Sequence, residues 1–494
     1  FKARVAVSAD GRDVALENGL VRRVVRLVPN AATIAYDNLI TGESMIRSVR
    51  PEAQVEIDGA AYDVGGLTGQ PVHNYLDAAW VERLEAQPGA FRFTRFSTGQ
   101  TKERFPWKKR LEWMPQDLPW PAPGVSLTLE FTAPNNFALA IDVHYELFDG
   151  LPLLSKWIVV RNASDKPVRL NRFISEILAA VESESIVDDS STWQLPHLLV
   201  ETDYTFGGMS GPNHSAGVFW VPDPLYSSQV NYNRLTPCLL ECRPPLGPDQ
   251  VIAPGSSFES FRAFELAQDT TERERKTLAV RRMYRAVAPW VTENPVLMHI
   301  RSAQPDAVKL AIDQCAEVGF ELAVLTFGSG FNFESRDPNY QAQIKELVDY
   351  GRARGVALGG YSLLASRGAE TNADNTQSVP ARYGVMPCLG ATWGSNYLAQ
   401  LQHFMRFAGL GVLEHDGSYP GDQCASTNHP FHRGLADSQW VQWKAITGLY
   451  QWCRSQGVYL NIPDWYFLNG GSKTGMGYRE VNWSLPRAYQ EIIE

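Results

Sequence analysis

Residues 411–422, GVLEHDGSYPGD, place ionisable side chains where a buried strand is expected to end. The apolar start of this stretch predicts the strand. Glu414, His415 and Asp416 follow it, before a loop of Gly, Ser and Pro that ends at Asp422. Parallel α/β barrels present catalytic groups in this way, at the carboxyl ends of their strands. We therefore predict that Asp416 is a catalytic carboxylate.

A second stretch further along the chain repeats this pattern. Residues 457–462 are apolar and include Asn461 near the strand end, and Asp464 and Trp465 follow before a Gly-rich loop. Arg479 and Glu480 lie beyond that loop. A retaining glycosidase needs two carboxylates about 5–5.5 Å apart, whereas an inverting one needs a wider gap for water. The pattern predicts that the catalytic partner of Asp416 is Glu480 or Asp464.

Each of these carboxylates also has an ordinary structural explanation. Asp416 precedes a glycine, and Asp-Gly is a common turn pair in which the aspartate caps the turn. Asp464 could cap the loop that follows its strand, and Glu480 could be a solvated carboxylate paired with the neighbouring arginine. Asp422 fits a hydrogen-bonding loop residue better than a catalyst. The sequence leaves these alternatives open.

Metal-binding patterns in the sequence are weak. His429 and His432 have a His-x-x-His spacing, but a proline lies between them, so they are not on one helix face. Cys238 and Cys242 have no second pair at the spacing typical of zinc sites. Acid/base or glycosyl chemistry on carboxylates needs no metal. We expect neither a metal nor another cofactor.

Composition excludes several classes of protein. The chain has 494 residues with 45 Lys and Arg against 54 Asp and Glu, a net charge of −9 that argues against nucleic acid as a partner. No window approaches the apolar run that a membrane span needs. The first residue is Phe1 rather than Met. A removed export signal would account for this start and would favour a periplasmic or secreted protein, and trimming of the chain would account for it equally.

Hydrophobic periodicity divides the chain into two regions joined by a helix. Residues 1–270 alternate with a period near two between Asn-Gly and Asp-Gly turn signals, which is typical of a large β-sandwich. Residues 271–290 begin with a charged amphipathic helix, a plausible linker between domains. Residues 291–494 alternate short apolar strands with amphipathic helices, which predicts a parallel barrel. Five strands are clear where a barrel needs eight, so we expect a barrel that is incomplete at the C-terminus.

Several motifs resemble those of clan D glycoside hydrolases, the melibiase-type α-galactosidases and their relatives. Residues 145–152, YELFDGLP, and 157–162, WIVVRN, look like the sandwich of bacterial α-galactosidases, and 413–416, LEHD, is similar to the segment that carries their nucleophile. The resemblance implies an N-terminal β-supersandwich, a linker helix and a (β/α)8 TIM-type barrel. It implies that Asp416 is the nucleophile and Glu480, which has an arginine seven residues later, the acid/base.

The sequence departs from that family at two positions. The family's Asp-Asp-Gly-Trp after the second barrel strand is Gly-Ser-Gly-Phe at 328–331, and its lysine two residues before the nucleophile is Glu414. We predict a retaining glycoside hydrolase that acts on α-linked, galactoside-like sugars. Assembly into a homo-oligomer stays an open alternative. A carbohydrate-binding pseudoenzyme, a transglycosidase and an elimination enzyme remain alternatives. The side chains predicted to bind substrate are Glu414, His415, Asp422, Trp465, Arg479, Asn461 and Trp393.

Overall fold

The structure is a computed structural model that describes residues 1–134, 137–182, 193–207, 216–377 and 379–472. Two compact units divide the chain. The first unit comprises 1–104, 119–205 and 214–287, and the second comprises 105–118, 206–213 and 288–494. The second unit therefore includes two segments that come from within the region predicted as the sandwich. The predicted boundaries at 270 and 290 stay a prediction.

The first unit is built from short strands and two helices. The strands are β1 (Arg4–Val7), β2 (Asp13–Glu17), β3 (Val21–Arg26), β4 (Ala32–Asn38), β5 (Glu43–Ser44), β6 (Ile46–Ser48), β7 (Ala53–Ile57), β8 (Ala60–Val64), β9 (Leu67–Thr68), β10 (Glu85–Ala86), β11 (Arg92–Gln100), β12 (Gly124–Thr132), β13 (Leu139–Phe148), β14 (Leu153–Asn162), β15 (Val168–Ile174), β16 (Glu176–Ala180), β17 (Leu198–Thr202), β18 (Val218–Val221), β19 (Leu239–Cys242), β20 (Pro248–Ile252), β21 (Ser257–Glu259) and β22 (Ala263–Ala267). The helices are α1 (Ala78–Val81) and α2 (Arg273–Val287). The predicted linker helix is α2.

These strands pair antiparallel throughout the described part of the unit. Their sheet orders are β1-β2-β3-β4-β5, β10-β9, β11-β12-β13-β14-β22-β17 with β21 also on β14, β20-β15-β7-β8, and β18-β19-β16-β6. The Asp58-Gly59 signal forms a two-residue hairpin, in which Ile57 pairs with Ala60 and both turn residues have positive φ. This is the backbone shape that Asp-Gly favours. The antiparallel sheets predicted from the turn signals are confirmed.

A buried cluster of charges joins three sheets of the first unit. Arg23 on β3 contacts Glu176 on β16 at 2.6 Å and Glu265 on β22 at 3.4 Å, while Lys156 on β14 contacts Glu176 at 2.8 Å. Burial alone would raise the pKa of Glu176, but the charges of Arg23 and Lys156 outweigh it and lower that pKa. Burial and the neighbouring carboxylate raise the pKa of Glu265 well above its usual range.

The second unit alternates strands and helices. Its elements are β23 (Leu297–Ile300), α3 (Pro305–Val318), β24 (Leu322–Leu325), α4 (Pro338–Arg352), β25 (Ala357–Leu363), α5 (Thr392–Ala408), β26 (Val412–Asp416), α6 (Leu435–Gln456) and β27 (Tyr459–Asn461). Short 3-10 helices lie at Leu111–Trp113, Pro289–Thr292, Asn372–Asp374 and Phe467–Asn469. The predicted alternation of strand and helix is confirmed from β23 to β27.

The five strands of this unit form one parallel sheet in the order β23-β24-β25-β26-β27. Left-handed glycines at 319, 409 and 457 end α3, α5 and α6, and free each chain to turn into the next strand. None of the helices in the described ranges is long and apolar enough to cross a membrane. The parallel sheet supports part of the predicted fold class, and its closure into an eight-stranded barrel stays a prediction.

The two faces of the parallel sheet differ. On one face, Leu322, Val412 and Tyr459 form an apolar layer that packs on Trp113. Trp113 belongs to the segment 105–118. Glu293 holds that segment in place, since it accepts a hydrogen bond from the indole of Trp107 at 3.0 Å and forms a buried ion pair with Arg454 at 2.5 Å. We call the face that carries this apolar layer the inner face. The polar residues of the candidate site lie beyond the layer on the same face.

Candidate active site

Side chains alternate along β26 and thereby separate the predicted site residues. Val412, Glu414 and Asp416 lie on the inner face, since a strand directs every second side chain the same way. His415 points to the opposite face. The apolar layer at Val412 therefore gives way to a polar layer at Glu414 and then to Asp416 at the carboxyl edge.

Asp416 is the last residue of β26 and is half-buried. Its Oδ2 accepts a hydrogen bond from the Tyr361 hydroxyl on β25 at 2.7 Å, and its Oδ1 accepts one from the Gly417 N–H at 2.8 Å. The ring of Phe327 packs edge-on against Tyr361. The Gly417 bond is the turn-capping interaction considered above, and the Tyr361 bond holds the carboxylate at the carboxyl edge of the sheet.

Glu414 is the centre of a polar layer that spans the sheet. Its side chain is buried, and one oxygen lies 2.6 Å from Nε2 of His299 on β23 and 2.8 Å from Nδ2 of Asn461 on β27. The other oxygen accepts from the Thr326 hydroxyl at 3.2 Å. The hydrogen bond with Glu414 raises the pKa of His299. Glu414 and Asn461, both predicted to bind substrate, are thus bonded to each other.

His415 lies on the face that packs against helices. It is fully buried, with Nε2 2.9 Å from the Tyr397 hydroxyl on α5 and Nδ1 2.8 Å from the Tyr450 hydroxyl on α6. Burial lowers its pKa to about 3, so the imidazole is neutral at physiological pH. Since both ring nitrogens have protein partners, we assign His415 to the packing of α5 and α6 on the sheet rather than to a sugar pocket.

Trp393 was predicted from the sequence to bind substrate, and the structure places it beside Tyr397. It is buried in the first turn of α5 and stacks on the Tyr397 ring with the ring centroids 4.8 Å apart. The guanidinium of Arg367 lies over the Trp393 ring, 5.2 Å from its centroid. Since Tyr397 bonds His415, this tryptophan belongs to the helix layer.

Asp422 is buried in the loop between β26 and α6. Its Oδ1 accepts a hydrogen bond from the Arg382 N–H at 2.9 Å, whereas Oδ2 has no hydrogen-bond partner among the residues that the structure describes. Burial raises the pKa of this carboxyl group. A buried carboxylate oxygen without a donor is costly. It is suited to accept a hydrogen bond from a ligand hydroxyl.

Asp464 follows β27 and is also buried. Ser418, two residues beyond Asp416, donates a short hydrogen bond to its carboxylate. Gly207 lies close by, because a Cβ at that position would be 2.4 Å from the Ser418 carbonyl oxygen and 3.2 Å from Asp464 Oδ2. The loops that follow β26 and β27 therefore meet at Asp464. Trp465, the next residue, is partly exposed and packs edge-on against Phe467.

Two predicted site residues lie outside the described part of the chain. Glu480 and Arg479 both come after residue 472, the last that the structure describes. Their predicted roles as acid/base and substrate contact stay predictions.

Three residues of the site were missed by sequence reasoning. His299 lies on β23, Thr326 directly follows β24 and Tyr361 lies on β25, and each bonds Glu414 or Asp416. The available signal was the alternation along each strand, which directs every second side chain to the same face. Using it requires strand pairings that the sequence does not give.

The described residues also bring together a set of side chains that could hold a metal. The expectation of no metal stays a prediction. Cys388, Cys424, His429 and His432 are all buried, and their ligand atoms lie within 4.8 Å of one another. Cys238 and Cys242, the pair considered from the sequence, belong to the first unit and are therefore not part of this set.

Comparison with known proteins identifies the fold. No protein-family model matches the sequence, and no curated protein matches it. Solved structures do match, and several of them are α-galactosidases. The enzyme from Lactobacillus brevis has 12% sequence identity and a TM-score of 0.57, with 95% of this chain and 74% of that chain covered.

Two enzymes from Geobacillus stearothermophilus match similarly. The GH36 α-galactosidase AgaB has 9% identity and a TM-score of 0.55, with 93% of this chain and 72% of that chain covered. A variant of the GH36 enzyme AgaA in complex with stachyose has 9% identity and a TM-score of 0.53, covering 93% and 74%. The predicted resemblance to α-galactosidase-like glycoside hydrolases is thus confirmed at the level of the fold.

Proposed function

We propose that this protein is a glycoside hydrolase whose nucleophile is Asp416. The observation that carries the proposal is the position of this carboxylate: half-buried, at the carboxyl end of a parallel strand, and bonded by Tyr361. Catalytic residues of barrel enzymes occupy strand ends of this kind. The fold shared with α-galactosidases, one of them in complex with stachyose, supports α-linked galactosides as substrates.

The reaction would be a double displacement. Asp416 attacks the anomeric carbon while an acid protonates the leaving oxygen, and water then hydrolyses the glycosyl ester with the same residue as base. Glu480 is our first candidate for this acid/base residue and Asp464 the second. Support for Asp464 comes from its hydrogen bond with Ser418, which lies two residues beyond Asp416. Asp422, with its unpartnered oxygen, is a candidate acceptor for a sugar hydroxyl.

The test is hydrolysis of a panel of aryl α- and β-glycosides by the wild type, Asp416→Ala and Asp349→Ala. Asp349 is a surface carboxylate on α4 and serves as the matched control. We expect Asp416→Ala to lose turnover, and azide to restore release of the aryl group with a glycosyl azide of inverted anomeric configuration. A single displacement by azide inverts the configuration that two displacements retain. Full activity of Asp416→Ala would refute the assignment.

A second experiment separates the two candidates for the acid/base residue. Loss of the acid slows cleavage of poor leaving groups much more than that of activated ones, since only the former need protonation. We compare Asp464→Asn and Glu480→Gln on an alkyl and a nitrophenyl glycoside of the same sugar. Since the same residue is also the base of the second step, the comparison uses kcat/KM, which reports the step that releases the leaving group. The residue whose variant retains kcat/KM for the nitrophenyl glycoside but loses it for the alkyl glycoside is the acid/base.

A carbohydrate-binding protein without turnover is the second candidate. The observation that favours it is that Glu414 and Asp464, two of the strand-end carboxylates, are buried and bonded to protein. This function predicts saturable binding of an oligosaccharide such as stachyose in calorimetry, with no change in the sugar on prolonged incubation. Release of a monosaccharide would exclude it.

A further inference from the structure

We propose that Cys388, Cys424, His429 and His432 bind one zinc ion in a closed, tetrahedral site. The four side chains are buried in the second unit, and their ligand atoms lie within 4.8 Å of one another. Cys388 Sγ is 3.4 Å from His432 Nε2, and Cys424 Sγ is 3.5 Å from His429 Nδ1. The two histidine nitrogens are 2.9 Å apart. Two thiolates and two imidazoles are a ligand set that zinc prefers.

The hydrogen bonds of the two histidines show which nitrogens are available. His429 Nε2 lies 2.8 Å from the Ala373 carbonyl oxygen, and His432 Nδ1 lies 3.2 Å from that of Gly434. A carbonyl oxygen only accepts, so these two nitrogens carry the hydrogens. The nitrogens that face each other therefore present lone pairs at 2.9 Å, an arrangement that a cation between them stabilises. Histidine ligands of metals commonly donate their other N–H to a carbonyl in this way.

The distances fit a zinc tetrahedron. Zn–S bonds of about 2.3 Å and Zn–N bonds of about 2.0–2.1 Å at tetrahedral angles separate a sulfur from a nitrogen by about 3.6 Å and two nitrogens by about 3.3 Å. The observed sulfur–nitrogen distances are 3.4 and 3.5 Å and the nitrogen–nitrogen distance is 2.9 Å. Shifts of a few tenths of an ångström would bring these three pairs to the tetrahedral separations, and the remaining pairs of ligand atoms lie within 4.8 Å.

Charge balance also suits a buried zinc ion. Each thiol loses its proton to solvent as its sulfur binds, so two thiolates neutralise one Zn²⁺ and the site carries no net charge. The backbone is close around the ligands, since a Cβ on Gly390 would lie 2.4 Å from His432 Cδ2. Asp437, near in sequence, instead accepts hydrogen bonds from the backbone N–H groups of Arg433 and Gly434 at the start of α6.

Four protein ligands leave no open position, so the proposed role of this zinc is structural. The ion would cross-link two long loops at the carboxyl edge of the sheet. Cys388 belongs to the loop between β25 and α5, and Cys424, His429 and His432 belong to the loop between β26 and α6. The second loop also carries Asp422. Zinc binding would hold in place a segment that no regular secondary structure supports.

The first test is the metal content of the purified protein, measured by elemental mass spectrometry. We expect about one zinc per chain in the wild type and in Cys453→Ser, a buried cysteine on α6 outside the site. Cys424→Ser and His429→Ala are expected to lose most of the zinc. Replacement by cobalt should give a thiolate charge-transfer band and the intense visible absorption of tetrahedral Co²⁺.

A second test needs no variant and so does not depend on whether the variants fold. A mercurial reagent titrated into the wild type should release the zinc as the thiols react. The midpoint temperature of thermal unfolding should fall when a chelator removes the zinc and should recover when zinc is added back. Absence of metal both after purification and after incubation with zinc or cobalt would overturn the proposal. A disulfide between Cys388 and Cys424 in the mass spectrum would overturn it too. These readouts are independent of the glycosidase assignment.

Discussion

Glu414, His415 and Asp416 are adjacent in the chain but lie in three different environments. The carboxylate of Glu414 is bonded within the inner face, the imidazole of His415 is enclosed by helices, and the carboxylate of Asp416 reaches the edge of the sheet. Strand alternation and distance along the strand cause the difference. Consequently only Asp416 lies where the proposed mechanism needs a carboxylate, at the carboxyl edge of the sheet.

Tyr361→Phe tests the positioning of Asp416 under the proposed mechanism. Charge returns to the carboxylate as the glycosyl ester is hydrolysed, so the Tyr361 hydroxyl stabilises the leaving group of that step. Hydrogen bonds to charged groups contribute about 1.5–3 kcal/mol. We expect kcat to fall about tenfold or more, with a burst of aryl release as the ester accumulates. Tyr350→Phe, which removes an exposed hydroxyl bonded to Asp313, is the control. Unchanged kcat would contradict this role.

His299 should titrate above its ordinary pKa because it shares a hydrogen bond with Glu414. A raised pKa in the folded protein means that the pair stabilises the fold below the unfolded value of about 6.5 and that this contribution is lost as the pH rises through the folded value. Glu414→Gln should lower the pKa of His299, while Glu346→Gln, on the surface of α4, should leave the pKa of His299 unchanged. NMR titration of labelled histidine, with the His299 signal assigned by His299→Asn, measures this. Equal His299 pKa values in the wild type and in Glu414→Gln would contradict the hydrogen bond between His299 and Glu414.

Two glycines show how elements of the second unit limit side-chain size. A Cβ on Gly359 of β25 would lie 2.3 Å from Val412 Cβ on β26, whereas one on Gly448 of α6 would have nothing within 4 Å. We expect Gly359→Ala to lower the free energy of unfolding by about 1–3 kcal/mol through overpacking. Gly448→Ala should raise it by about 0.5–1 kcal/mol, since alanine loses less entropy in a helix. Urea titration measures the free energy of unfolding of both variants. A change of the same sign in both would contradict this account of the packing.

The stability of the first unit depends on charges that come from distant parts of the chain. Arg23, Glu176 and Lys156 lie on three strands and are almost fully buried. Removing one partner of a buried ion pair leaves the other charge unpaired and costs about 3–5 kcal/mol. We expect a loss of this size in the free energy of unfolding for Glu176→Gln.

The matched control for that variant is Glu241→Gln, on the neighbouring strand β19. Its partner Arg243 is partly exposed, so solvent screens the pair and the expected loss is less than about 1 kcal/mol. Urea titration followed by fluorescence compares the two variants. Equal losses would show that the buried cluster does not make this contribution.

The sequence by itself determined the type of each region. Antiparallel hairpins appeared at the Asp-Gly signals, and helix α3 (Pro305–Val318) lies in the region where alternating strands and amphipathic helices were predicted. Both follow from interactions between residues near in the chain, namely turn conformation and hydrophobic period. The position of Asp416 at a strand end was predicted for the same reason.

Only the tertiary structure decided which distant residues meet. His299 on β23 meets Glu414 on β26 across the inner face of the sheet, and Cys388 meets His432 where two loops come together. Neither pairing follows from a short spacing, because each depends on how separate elements pack in space. The same limit explains why His415, correctly placed on its strand, was predicted to contact substrate when its side chain lies between Tyr397 and Tyr450.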